Sequence, residues 1–175
     1  MPEKLLKHPF VEYLTTLKDN RGALAALRRG LGQSPGAAPE MFPYVVRWLP
    51  ERYSAHTEAT YYLIAALFAS HPLISDSGNM GGHLHSAVLK GANQQSVERR
   101  FVALLNCHPD DLGMHLRQMV SFLKSNDVAI NWQQLFEDLL HWDHPDHYIQ
   151  KRWAGSFWVM EIPIPDEPSE PLPAE

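Results

Sequence analysis

"SVERRFVALLNCHPDDLGMHLRQMVSFLKS", residues 96–125, decides the fold. Its first part sets Val97, Phe101 and Leu105 at spacing four; its second sets Leu112, Leu116, Met119, Val120 and Leu123 at spacings of three and four. Both follow the helical period rather than the alternation of a strand. Ser96 is the expected N-cap of the first helix, and Asp110 with Asp111 fall where the second opens, next to its positive dipole end. The two helices are separated by the Cys107–Pro109 break.

Working outward, the same period recurs. "HPFVEYLTTLK" (8–18) aligns Phe10, Leu14 and Leu17, with Pro9 suited to a first turn. "GALAALRRGL" (22–31) aligns Leu24, Leu27 and Leu31 and ends at Gly30 and Gly32. A turn-rich connector, "SPGAAPEMFP" (34–43), leads to the short apolar "YVVRWL" (44–49), stopped by Pro50. Ser54 is the expected cap of "AHTEATYYLIAALFASH" (55–71), whose composition predicts a largely buried helix. "HPLISDSGNMGG" reads as a loop and "HLHSAVLKGA" (83–92) as a short helix. Downstream, "INWQQLFEDLLHW" (130–142) and "HPDHYIQKRWAGSFW" (144–158) complete the set, the latter expected to open at Pro145. No stretch alternates as a strand does. The reading is all-α: a compact multi-helix protein of two packed helical halves, residues 1–92 and 93–159, with no sheet.

Residues 160–175 differ. They hold Glu161, Asp166, Glu167, Glu170 and Glu175 among many prolines, and no base. Such a segment buries too little apolar area to offset its ordering entropy, so a mobile or docked appendage is expected. Setting those five acids aside leaves 15 acids against 15 bases, so the net charge of −5 belongs to the tail and excludes no anionic partner. The chain is 45% hydrophobic and 20% charged, an ordinary globular composition. No apolar run approaches the roughly 18 residues of a membrane span, and the start lacks a signal-peptide core. Cys107 is the only cysteine, so no intrachain disulfide forms; the cytoplasm is the expected compartment.

Catalytic patterns are thin. "HWDHPDH" gathers His141, Asp143, His144, Asp146 and His147, ligand types for a metal phosphohydrolase, but Pro145 breaks the run and places His141 and His147 on different helices. His83 and His85 point apart on a helix, and "GNMGG" has neither the preceding strand nor the lysine of a phosphate loop. No nucleophile–base pair and no cofactor motif is visible. The alternative kept open is a stand-alone metal phosphohydrolase built on His141, Asp143 and His144.

Binding patterns are stronger. Bases come in doublets, Arg28-Arg29, Arg99-Arg100 and Lys151-Arg152, with Arg117 beside the stripe of its own helix. Guanidinium groups grip phosphate with two parallel hydrogen bonds. On the helical wheel Arg99 lies opposite the stripe and Arg100 borders it, so Arg100 is the expected scaffold arginine, held by a buried acid. The tryptophans sit within apolar patterns, which favours backbone gripping over base stacking.

The order of these motifs resembles the small subunit of the type I-E CRISPR Cascade complex, the CasB family. The resembling pieces are "ALRRG", "YYLIAALFASHP", "NMGGHL", "SVERRFVALLN", "HLRQMVSFLKS", "INWQQLFEDLLHW" and "KRWAGSFW", over roughly residues 8–158. The resemblance implies a helical, non-catalytic subunit that pairs with a second copy of itself. It further implies contacts with the large subunit and with the backbone subunits that coat the CRISPR RNA. Its basic face is implied to hold the displaced non-target DNA strand and stabilise the R-loop. Arg99 and Arg100 match the family's "ERR", Arg117 its "LR", and Arg28 with Arg29 its "LRR"; Lys151 and Arg152 match less closely. The acidic tail has no counterpart in that pattern.

Overall fold

The computed structural model describes residues 7–158; the acidic tail lies outside the described residues. Nine α-helices appear among the described residues. They are α1 (Pro9–Thr16), α2 (Arg21–Arg28), α3 (Phe42–Val45), α4 (Ala55–Ser70), α5 (Met80–Leu89), α6 (Gln94–Leu105), α7 (Leu112–Ser125), α8 (Trp132–Leu140) and α9 (Tyr148–Phe157). The fold is all-α. Among the described residues the one β-type contact is a single parallel bridge between Ile74 and Ile130, which ties the loop after α4 to the loop before α8. No helix among the described residues is long and apolar enough to cross a membrane.

Asparagine side chains set the helix starts. Asn20, Asn79, Asn93 and Asn131 each accept a backbone N–H from the first turn of α2, α5, α6 and α8. Ser54 caps α4 as expected, accepting from Thr57 at 3.0 Å. Three sequence expectations shift. Helix α6 opens at Gln94 because Asn93 takes the cap, and Ser96 is the residue whose N–H it receives at 2.9 Å. Helix α5 opens at Met80 rather than His83, because Asn79 caps "MGG" into its first turn. Helix α9 opens at Tyr148 rather than Pro145, because His147 takes a left-handed φ of 49° and turns the chain there.

One apolar core joins both halves. Helix α4 is buried on nearly every side from Thr60 to Ala69 and packs on α2, α7 and α8. Phe10 of α1, Tyr61 of α4 and Phe136 of α8 stack at centroid distances of 4.7 to 5.7 Å, so the chain's start closes on its last third. Helices α5 and α9 approach so closely that a Cβ on Gly81 would overlap the Trp153 carbonyl. Only glycine fits there. Packing thus runs freely across residues 92 and 93.

Buried polar groups lock the loops between these helices. His71 pairs through Nε2 with the Val128 carbonyl at 2.7 Å, and His83 Nε2 accepts the Asn131 N–H at 3.0 Å. His83 is therefore a structural acceptor. Burial pushes its pKa down to about 4, which keeps the acceptor nitrogen unprotonated near neutrality.

Candidate nucleic-acid interface

Helices α6 and α7 follow one another through a short connector and pack side by side. Each buries its apolar stripe: Val97, Phe101 and Leu104 on α6, and Leu112, Leu116, Met119, Val120 and Leu123 on α7. That burial fixes which residues are left outside. Between the helices runs an open groove of about 690 Å³, lined by Arg100 from one side and by Met114, Arg117, Gln118, Ser121, Phe122 and Ser125 from the other. Arg99, Arg100 and Arg117 are all exposed and form no ion pair among the described residues. The one acid next to them in sequence, Glu98, is engaged by Gln94 at 3.0 Å and by the Trp158 indole at 3.3 Å.

A second cleft of about 820 Å³ adjoins the groove and shares Met114 and Arg117 with it. Its far wall is the 30–35 turn that follows α2. Gly32, at φ 73°, lets that turn lie against Arg117; a Cβ there would come within 2.8 Å of its guanidinium. Arg28 ends α2 and Arg29 caps it, both exposed, immediately before this turn. The structure therefore brings Arg100 and Arg117 together and sets Arg28 and Arg29 at the head of the turn touching Arg117. Arg99 projects from the outer face of α6.

The last doublet splits. Arg152 of α9 pairs with Asp138 of α8, a carboxylate only 1% exposed that also accepts from Trp153 Nε1 at 2.6 Å and Gln134 Nε2 at 2.8 Å. Burial pushes the Asp138 carboxyl above its usual range, while Trp153, Arg152 and Gln134 hold it back. This corrects the sequence reading of the scaffold arginine: the residue on a buried acid is Arg152, whereas Arg100 faces the groove. Lys151 is exposed on α9, a helix that does not line the groove.

Several groove residues escaped the sequence reading. Gln118, Ser121 and Ser125 add hydrogen-bonding groups on the solvent side of α7. Lys124, seven residues beyond Arg117, returns to the same side of the helix and is exposed. The signal was the polar stripe opposite Leu116, Met119, Val120 and Leu123.

The His/Asp cluster disperses. His141 pairs with the Glu137 carbonyl at 2.9 Å, Asp143 lies 3.6 Å from His56, and His144 approaches Asp146 and the Tyr148 ring. No group of three potential ligands converges among the described residues. Tryptophans 132, 142 and 153 are buried as expected, whereas Trp158 stands 39% exposed beside α6.

Residues 23–158 match the family model of CRISPR-associated protein Cse2. Cse2 of Thermus thermophilus is 34% identical over 160 residues, spanning 85% of this chain and 88% of its own length. The crystal structure of CasB from Thermus thermophilus superposes with a TM-score of 0.74 at 31% identity, covering 87% of this chain and 99% of CasB. A chain of a CRISPR RNA-guided surveillance complex superposes with a TM-score of 0.73 at 30% identity, covering 85% and 88%. The chain belongs to the Cse2, or CasB, family of CRISPR-associated proteins.

Proposed function

We propose that this chain is the small subunit of a type I-E CRISPR RNA-guided surveillance complex, acting in the cytoplasm without catalysis of its own. Its α6–α7 groove grips the displaced non-target DNA strand by its phosphates. The carrying observation is the convergence of Arg100 and Arg117 on one solvent-facing groove, with no acid partner among the described residues. Arg99, Arg28 and Arg29 extend that basic surface; Lys151 and Arg152 are outlying members, Arg152 with one face already committed to Asp138. The large subunit, the RNA-coating backbone subunits and a second copy are the proposed neighbours, in keeping with the surveillance complex among the structural relatives.

The energetics suit so shallow a site. Forming the RNA–DNA hybrid is nearly balanced against the duplex it replaces, so a modest hold on the freed strand tips the exchange. Sequence reading belongs to the RNA, and the groove needs charge and shape alone. The apolar burial of Trp132, Trp142 and Trp153 leaves few stacking platforms, which agrees with backbone contact.

The test is an Arg100→Ala, Arg117→Ala double variant. Each lost phosphate contact is expected to flatten the log–log salt dependence of single-strand binding by about 0.7, for every sequence alike. Assembled complexes carrying the variant should load guide RNA normally and form weaker R-loops. An unchanged slope together with normal R-loops would reduce the subunit to a spacer.

A further inference from the structure

The described chain ends beside the arginines. Trp158 donates to Glu98 of α6 at 3.3 Å and packs on Phe101 with ring centroids 5.3 Å apart. Residues 159–175 follow it in sequence, with Glu161, Asp166, Glu167, Glu170 and Glu175 and no base. Around α6, Arg99 lies about 100° from Glu98 and Arg100 a further 100° on. Exit point, Arg99, Arg100 and then Arg117 across the groove thus mark one path over the outer face of the helix.

The reach suffices. At about 3.3 Å per extended residue, the stretch from Trp158 to Asp166 covers roughly 25 Å. Half the circumference of a helix about 10–12 Å across is shorter than that. Pro163, Pro165 and Pro168 fix φ along the way, which lowers the entropy lost when such a segment is laid down. Carboxylates and phosphates offer guanidinium the same paired oxygens.

We infer that segment 161–170 docks on the surface formed by Arg99, Arg100 and Arg117, as an internal polyanion. Docking rests on charge and position; its consequence, competition with a DNA strand for the same arginines, rests on the function proposed above. The tail lowers the apparent affinity for nucleic acid by the fraction of time it is bound.

The experiment uses the full chain. A spin label at Ser169→Cys, with Cys107→Ser, is expected to broaden the backbone amides of Arg99, Arg100, Arg117 and Ser121 at low salt and to spare those of α8. The broadening should vanish near 1 M salt, where the screening length is about 3 Å. It should vanish also when Glu161→Gln, Asp166→Asn, Glu167→Gln and Glu170→Gln are combined. Amide shift differences between the unlabelled native and charge-neutral chains give the same reading without altering Cys107. No effect on these amides at low salt, or an effect that survives charge neutralisation, overturns the docking. With oligothymidylate as probe, the charge-neutral chain should bind about five- to tenfold tighter, as a tail bound 80–90% of the time requires. Docking seen with no oligothymidylate affinity in either chain keeps the tail contact and removes the nucleic-acid reading. Tight binding of equal strength in both, without amide effects, does the reverse.

Discussion

Arg152 and Arg100 each end a basic doublet on an amphipathic helix, yet the fold uses them in opposite ways. Across from Arg152 lies Asp138, buried on α8 against α9 and bonded to three donors. Across from Arg100 lies Arg117, with Ser121 and Gln118 and open solvent between. A guanidinium facing a buried carboxylate is scaffold, because separating the pair strands a charge where water cannot reach it. Two guanidiniums facing each other over a groove repel, and they stay together because their helices are held by apolar burial elsewhere. Such a pair is poised for an anion. Arg47, stacked 4.5 Å over the Tyr13 ring, is a third outcome of the same side chain.

The largest expected effect tests the buried side of this contrast. Asp138→Ala leaves the Trp153 N–H without its acceptor and the Arg152 guanidinium without its counter-charge. The buried Trp153 N–H left without an acceptor costs about 1–3 kcal/mol, while Arg152 regains water through its 45% exposed side chain, so a loss of about 2–3 kcal/mol is expected in denaturant unfolding. The salt slope of single-strand binding should stay at its native value. A folded variant with native stability would break the contrast at its firm end.

Acid should act with opposite sign at two of the buried titratable groups, His83 and Asp138. His83 has its folded pKa depressed to about 4 against 6.5 when unfolded, so its contribution is intact above pH 6.5 and lost as pH falls toward 4. At pH 5 the loss comes to about 2 kcal/mol. His8 is lowered by burial too and adds in the same direction. Asp138 is raised by burial, so protonation is easier folded than unfolded, and acidification costs no stability through it. Unfolding free energy measured from pH 7 to 5 should therefore fall, and His83→Gln, which keeps an acceptor for the Asn131 N–H, should flatten most of that fall. A His83→Gln chain with the full native pH dependence would assign the effect elsewhere.

On the groove side, single Arg99→Ala, Arg100→Ala and Arg117→Ala variants should unfold within about 0.5 kcal/mol of native, since nothing buried depends on them. A larger loss at Arg100 would restore the scaffold role its place beside the stripe suggested.

That place shows where sequence stops being legible. Most helices and their core faces followed from period, because burial enforces period: Phe10, Phe101, Leu116 and Phe136 are all fully buried. Helix α4, buried nearly all round, followed from composition, and the four-residue α3 begins inside the stretch that read as a connector. Helix starts shifted because caps compete locally, and Asn93 and Asn79 prevailed over the residues expected. The arginines' roles were not legible, because they depend on what another helix places opposite. Asp138 is fourteen residues from Arg152 in sequence, and no pattern within one helix announces it. The motif order pointed to the family, but whether Arg100 met an acid or a groove needed the fold.

The smallest expected effect concerns two lysines, of which the sequence pattern singled out only Lys151. Lys124 and Lys151 are both exposed and form no ion pair among the described residues. Lys124 lies on the Arg117 side of α7, one heptad along, whereas Lys151 stands on α9, away from the groove. An ammonium is a strongly hydrated point charge that binds phosphate without the paired geometry of arginine, so its contact is weaker and less fixed. Lys124→Ala should flatten the single-strand salt slope by at most about 0.7, and Lys151→Ala by less. Equal flattening by both would carry the grip beyond α6 and α7 onto α9 and restore the third doublet to the interface. No change at Lys124 would end the strand's track at Arg117, turning it toward the 30–35 turn and the Arg28-Arg29 pair.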